Sequence, residues 1–475
     1  MRECGTLSSN SSSTGWRPST SRRGRWRSSP KRSVHFSRGS YPTMPKTTPF
    51  WWGDAGTPTS PPEVALPGEV DVVVVGAGLT GLSAARTLAM SGRSVLALDA
   101  SAPGIRASSC NGGMIGGGHQ LDIDEIAAKF GSSMVEGILR ETHLDANAFI
   151  KALIADEQID CDLAVTGRFR GLWSKREYDA AGRELDRLKK IVPVEAEMVP
   201  RERQHEEVAT DIYAGGTVLP LHGGLNPAKY VAGVMEAART RGAVVQGDTP
   251  VLDVSHNGSG FIVETTRRSV RAGNVLVATN GYTPATLGFA RRRIVPVPSF
   301  LVATEPLGAD TVKGLFPNGR MVAESRNRHC YYRPSPDGQR LVFGGRAAMT
   351  PVPEGFASSQ LRRLIGSIFP QLGEVTFSHS WNARTGFAFD FTPHVGCYDG
   401  IWYAMGYSGS GNSMAPYLGH KAALKILDDP EGETVFTRSG FPTRWWHRGP
   451  PWFLPFADML FRAKDAVNNI RPSRR

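Results

Sequence analysis

Cysteine is scarce in this chain. The five in 475 residues (Cys4, Cys110, Cys161, Cys330 and Cys397) are scattered, odd in number and never spaced C-x-x-C. This argues against a disulfide framework and a zinc site, and for a reducing compartment. Long apolar runs are missing too. The longest, Val72–Ala85, is too short and too rich in glycine to cross a bilayer. Nothing in the first thirty residues resembles the apolar region of a secretory signal. Acidic residues are nearly absent from the two ends. Residues 1–46 carry ten Lys/Arg against Glu3 alone, and residues 440–475 carry seven against Asp458 and Asp465. The stretch between has 38 basic and 41 acidic side chains. The net charge of +11 therefore belongs to the ends. The body lacks the basic surface of a nucleic-acid binder, and neither a nucleic-acid nor a membrane partner is expected.

Glycine, by contrast, is placed with purpose. Residues 71–100 read DVVVVGAGLTGLSAARTLAMSGRSVLALDA. Four valines lead into Gly76, Gly78 and Gly81 in G-x-G-x-x-G spacing. An Ala/Leu-rich helical segment and a second apolar strand follow, ending at Asp99, 18 residues past Gly81. Each part suits a dinucleotide. Gly76 permits the tight turn, Gly78 lets the backbone approach a pyrophosphate, and Gly81 lets the helix pack on the sheet. The helix start offers free N–H groups to phosphates, and Asp99 can accept from ribose hydroxyls. Gly76, Ala77, Gly78, Leu79, Thr80, Gly81 and Asp99 are the first candidate binding residues.

Composition divides the rest. Residues 1–43 are Ser/Arg-rich and without periodicity, which predicts a disordered basic extension. A transit peptide, or a start upstream of a true initiator at Met44, would read alike. Residues 44–68 form a Pro-rich lead-in whose Phe50-Trp51-Trp52 cluster is expected to dock on the body. Helical spacing marks 121–157, 174–191 and 227–241, the last with Asn226 as N-cap. Asn257-Gly258 and Asp337-Gly338 mark hairpins. Strands are expected at 274–279 and 401–405, with a helix from about 413 to 427. The pieces 69–165, 217–293 and 380–439 are assigned to a discontinuous nucleotide-binding domain, 166–216 and 294–379 to a substrate domain, and 440–475 to an aromatic, basic tail.

In order along the chain stand VVVGAGLTGLSAAR, ASSCNGGMIGGG, LVATNGYTP, PVPSFLVATEPL, YYRPSPDGQRLVFGGR, FDFTPHVG and GYSGSGNSMAPYLG. In these motifs the chain resembles the FAD-dependent amine and D-amino acid oxidase family, the glycine oxidase/sarcosine oxidase-like flavoproteins. It looks most like the branch with gamma-glutamylputrescine oxidoreductases. The resemblance implies an α/β fold, α+β overall: a Rossmann-like FAD-binding domain of the glutathione-reductase-2 type with an inserted antiparallel substrate sheet. It implies a cytoplasmic enzyme with non-covalent FAD, an amine substrate, and O2 or another electron acceptor. It places Ser108, Asn111, Gly112, Gly113, Val251, Ala278, Thr279, Asn280 and Gly281 against the cofactor. The Gly406–Gly411 loop closes a strand and opens a helix, so Gly406, Ser408, Gly409 and Gly411 are assigned to the flavin, where N–H groups and a helix dipole stabilise developing negative charge.

Tyr332 and Arg346 are the catalytic candidates: a tyrosine walling the pocket and an arginine gripping a carboxylate, with Arg333 behind them. Departures from the family pattern matter as well. Ser109 and Cys110 replace Gly and Arg in the A-S-G-R-N-G-G loop. Ala383 stands where sarcosine oxidases carry their flavin-linking cysteine. Ser413 and Val342 stand where those enzymes carry the lysines that grip substrate and promote oxygen reaction. His119 and His222 read as structural, Asp390 as a loop-fixing acid, and Cys397 as core. The rival readings are a quinone-linked dehydrogenase, an NAD(P)H-dependent flavin hydroxylase and a non-catalytic flavoprotein.

Overall fold

Val72–Val75 form the interior of strand Glu69–Val75, and all four are buried. Alternation sends Val72 and Val74 into one hydrophobic cluster and Val73 and Val75 into another. A strand apolar on both faces belongs in the middle of a covered parallel sheet. The computed structural model, which describes residues 44–326 and 329–470, places it there. The order is His394–Tyr398, Ile401–Met405, Ser269–Val277, Glu69–Val75, Val95–Leu98 and Val244–Gln246. Every pairing from Ile401–Met405 onward is parallel. Helices Leu79–Met90, Pro227–Thr240 and Gly411–Ile426 supply buried residues to the first cluster. Asn226 caps the second of these helices through Ala228 and Lys229 N–H. The hairpin Val251–Asn257/Gly260–Thr265 turns at Gly258, with φ +63°.

A second sheet has eight strands, in the order Phe377–Ala388, Ile294–Thr304, Leu341–Gly345, Cys330–Pro334, Met321–Glu324, Arg168–Gly171, Gly215–Leu219 and Glu197–Pro200. All pairings are antiparallel except Met321–Glu324 with Arg168–Gly171. One face packs Phe169, Phe300, Val322, Tyr332 and Phe343 against helix Glu354–Ile368. The other face turns toward the glycine turns. Two assigned boundaries need correction. Residues 217–219 and 380–388, given to the nucleotide-binding unit, are strand residues of this second sheet. Their strands pair with Arg168–Gly171 and Ile294–Thr304, and no local sequence signal reports which sheet a strand joins.

The lead-in docks by backbone and by ring. Lys46 exchanges hydrogen bonds with Ser378 and Ser380, and Trp51 is buried. The expectation of disorder over 1–43 falls outside the described residues. Among the described residues, no helix is long and apolar enough to cross a membrane, and no group of three His, Cys, Asp or Glu could hold a metal ion.

Candidate functional site

The first strand ends at Gly76, whose φ of +103° suits glycine and few other residues. Helix Leu79–Met90 begins at once, and no side chain caps it at Gly78. Its first-turn N–H groups are therefore offered to an anion. One is partnered already: Leu79 N–H donates to Ser108 Oγ at 3.1 Å. A Cβ on Gly81 would come within 1.9 Å of the Gly76 carbonyl oxygen, so helix and turn meet without a gap. At the end of the next strand, Asp99 accepts from Ala77 N–H at 3.0 Å and from Ser101 N–H at 3.0 Å. Burial raises its carboxyl above the usual range, and these hydrogen bonds oppose the rise.

The late glycine loop lies alongside because two helices touch. A Cβ on Gly419 of helix Gly411–Ile426 would lie 2.2 Å from the Thr80 carbonyl oxygen. Thr80 and Tyr407 share a hydroxyl hydrogen bond of 2.8 Å, and Ser83 Oγ donates to Pro416 O at 2.7 Å. Asn280 Oδ1 accepts from Gly406 N–H at 3.1 Å, tying the middle strand's end to the loop. No side chain caps the second helix at Ser410 either. Two uncapped helix starts thus open on one cleft.

That cleft is lined by Gly76, Gly78, Leu79, Thr80, Asp99, Ser108, Asn111, Val251, Ala278, Thr279, Asn280, Gly281, Gly409 and Gly411. Ala77, Gly81, Gly112, Gly113, Gly406 and Ser408 are not among its lining residues. They shape the backbone behind it: Gly112 lies under the Tyr331 ring, and Gly113 lies against Leu225 O. Arg106, Tyr282 and Arg384 line the cleft without having been singled out in the sequence. Both guanidiniums approach the Tyr282 ring, at 5.7 and 5.8 Å. Arg384 arrives on a strand of the other sheet, beyond the reach of any local motif. Uncapped N–H groups, two cations and an anchored carboxylate fit the pyrophosphate and ribose of FAD.

Three tryptophans fix the loop between them. Trp51 Nε1 donates to Asn111 O at 2.7 Å, Trp381 Nε1 to Cys110 O at 2.8 Å, and Trp52 Nε1 to Ser109 Oγ at 3.3 Å. Asn412 Nδ2 donates to Asn111 Oδ1 at 2.8 Å and so joins this loop to the late helix. Cys110 donates to Ile105 O, and burial pushes its thiol up to about 11, an inert setting. Ala383 is buried beside it. Cys397, expected in the core, is exposed on the sheet's edge strand His394–Tyr398.

Tyr332 does not wall the cleft. It is fully buried on the far face of its strand, stacked on Phe343, with its hydroxyl 2.7 Å from that of Tyr213. Alternation puts its neighbours Tyr331 and Arg333 on the near face. Tyr331 covers Gly112 and shares a 2.9 Å hydrogen bond with Ser299, while Arg333 donates to Gly113 O at 2.9 Å and Leu225 O at 3.0 Å. Arg346 is half-buried, 5.4 Å from the Phe387 ring. Ser413 Oγ pins Gly116 through both its N–H and its carbonyl, each at 3.1 Å. Val342 is buried. His222 Nε2 accepts from Gly117 N–H at 3.0 Å. His119 accepts from Leu121 N–H, and burial holds it at about 4. Asp390 holds its loop through Thr392 N–H at 3.2 Å and His394 at 3.1 Å.

The family model described as FAD dependent oxidoreductase, DAO, matches residues 71–424. The probable oxidoreductase OrdL of Haemophilus influenzae is 30% identical over 77% of this chain and 85% of its own length. Gamma-glutamylputrescine oxidoreductase of Escherichia coli is 28% identical over 77% and 85%. Among solved structures, glycine oxidase from Geobacillus kaustophilus superposes with a TM-score of 0.66 at 21% identity, covering 80% of this chain and 99% of that one. The chain belongs to the DAO family of FAD-dependent oxidoreductases.

Proposed function

We propose that the protein oxidises a C–N bond of a primary or secondary amine to an imine, which water hydrolyses, with O2 or another acceptor taking the electrons. One observation carries the reading: the early and late glycine turns line a single cleft, and an antiparallel sheet stands over the loop between them. Bound FAD would supply the hydride acceptor. The chain's own part is electrostatic and steric. N–H groups at the start of helix Gly411–Ile426 stabilise negative charge that develops on a group held there. Low-dielectric surroundings favour the neutral amine, so no protein base is required. His119, near 4, stays neutral at physiological pH, and Asp390 is occupied by its loop. The likeness to gamma-glutamylputrescine oxidoreductase supports an amine of that kind. The four described cysteines, all free, support a cytoplasmic location.

Anaerobic mixing of the FAD-loaded protein with gamma-glutamylputrescine, putrescine, sarcosine, D-alanine and proline tests the reading. At least one should bleach the flavin. A flavin that stays oxidised with all of them refutes amine oxidation. Reoxidation in air then separates acceptors, since slow return of the oxidised spectrum identifies a quinone-linked dehydrogenase. That outcome has support in Val342, which stands where related oxidases carry a lysine.

A further inference from the structure

We infer that Arg170 forms the centre of a cationic subsite on the second sheet that receives an anionic group of the substrate, set several bonds away from the reacting C–N bond. The inference rests on the amine-oxidation reading. Alternation along strand Arg168–Gly171 buries Phe169 in the far core and leaves Arg168 and Arg170 on the near face. The register continues the row: Arg170 pairs with Ala323, Ala323 with Tyr331, and Tyr331 with Gly344. Arg170 therefore shares a face with Tyr331, which covers the flavin loop at Gly112, and lies two strand spacings, about 10 Å, to its side.

Arg170 has an accessible side chain, yet surrounding protein lowers its guanidinium from the ordinary value. Arg168, which donates to Gly117 O at 2.7 Å, is lowered to about 10 by burial and by the charge of Arg170. Neither arginine forms an ion pair among the described residues. Glu177, the acid whose charge Arg170 feels, is engaged by Trp173 N–H at 3.0 Å and the Ser325 hydroxyl at 2.5 Å. His329 flanks Tyr331. Its ring lies 6.1 Å from that of Tyr331, and burial with the charges of Arg346 and Arg170 brings it to about 3. It stays neutral and adds no charge of its own. Glu177 makes no ion pair with either guanidinium, so an incoming carboxylate can meet Arg170 through paired N–H donors. The lateral distance selects an elongated molecule. An α-amino acid, with its carboxylate on the reacting carbon, does not span it.

The test uses full-length FAD-loaded protein, with ω-aminohexanoate and pentylamine as substrates differing in the carboxylate. In anaerobic stopped flow the carboxylated amine should half-saturate reduction at a concentration at least about tenfold lower. Arg170→Gln should raise that concentration about 30-fold or more, the loss that follows removal of one partner of a hydrogen-bonded charge pair. It should leave pentylamine within about twofold, and Arg170→Lys should restore part of the loss. Glutarate, which carries no amine, gives a second readout: calorimetric titration should show binding that weakens about tenfold in Arg170→Gln. Equal effects on both amines, or glutarate binding indifferent to Arg170, overturn the subsite. A flavin that no amine reduces, beside glutarate binding that depends on Arg170, refutes amine oxidation and leaves the subsite standing.

Discussion

Tyr331 and Tyr332 show how much one position decides. They are neighbours of the same type on one strand, and the pleat sends them to opposite faces. Tyr332 serves the far core and Tyr331 covers Gly112 in the 108–113 loop. Tyr332→Phe should cost about 1 kcal/mol of stability through the lost hydroxyl pair with Tyr213, which keeps Glu324 as an acceptor. Flavin reduction should be unchanged in that variant. Tyr331→Ala uncovers Gly112 and should shift the flavin absorption bands and slow reduction. Denaturant melts and anaerobic spectra of the two variants check this, and the reverse pattern would restore Tyr332 to the site. Motif likeness located the strand but not its phase. A tyrosine pair in sequence carries no mark of which ring faces the core.

At the scale of elements, the site depends on two helices touching. Gly419→Ala would force a Cβ against the Thr80 carbonyl oxygen, where only 2.2 Å is available. Overpacking of this kind costs about 1–3 kcal/mol. Because both helix starts border the cleft, the variant should also release FAD more readily. Thermal melts with and without added FAD would show it, and a variant that melts like the wild type and keeps its flavin contradicts the account. The tryptophan clamp makes a separate claim. Trp51→Ala removes a buried ring and the Nε1 bond to Asn111 O, at a cost of about 3–5 kcal/mol. Loosening the 108–113 loop should weaken FAD binding more than its truncation alone explains. The aromatic cluster was visible in the sequence as something that docks. Its target was not, because Trp51 and Asn111 lie 60 positions apart.

At the scale of the molecule, buried histidines set the acid limit of stability. His119, His143 and His420 are each brought to about 4, and His222 well below its ordinary value, in every case chiefly by burial. Their folded values lie below the unfolded one, so the unfolded chain takes up protons first as the pH falls. The stability they allow is present above about pH 6.5 and is lost as the pH drops toward 4. Asp99 and Glu141, whose carboxyls burial raises, oppose the trend, because the folded state holds their protons more tightly. Urea melts of FAD-saturated protein near pH 7 and near pH 5 should show a net uptake of roughly two or more protons on unfolding. Stability that is flat or rises on acidification would contradict the histidine account.

The chain's own order of residues determined the nucleotide-binding turn, the parallel strands around it and the family. Those signals are local: four valines, three spaced glycines and an acid lie within a single strand–helix–strand unit, and each acts through its own backbone. Only the tertiary structure decided which face of the second sheet meets the 108–113 loop. It also decided which sheet residues 217–219 and 380–388 join, that Arg106 and Arg384 line one cleft, and that three tryptophans hold the loop beside it. Contacts between distant segments depend on strand phase and sheet order. Both are settled by how whole faces bury their apolar surface together, and no short window of sequence contains that information.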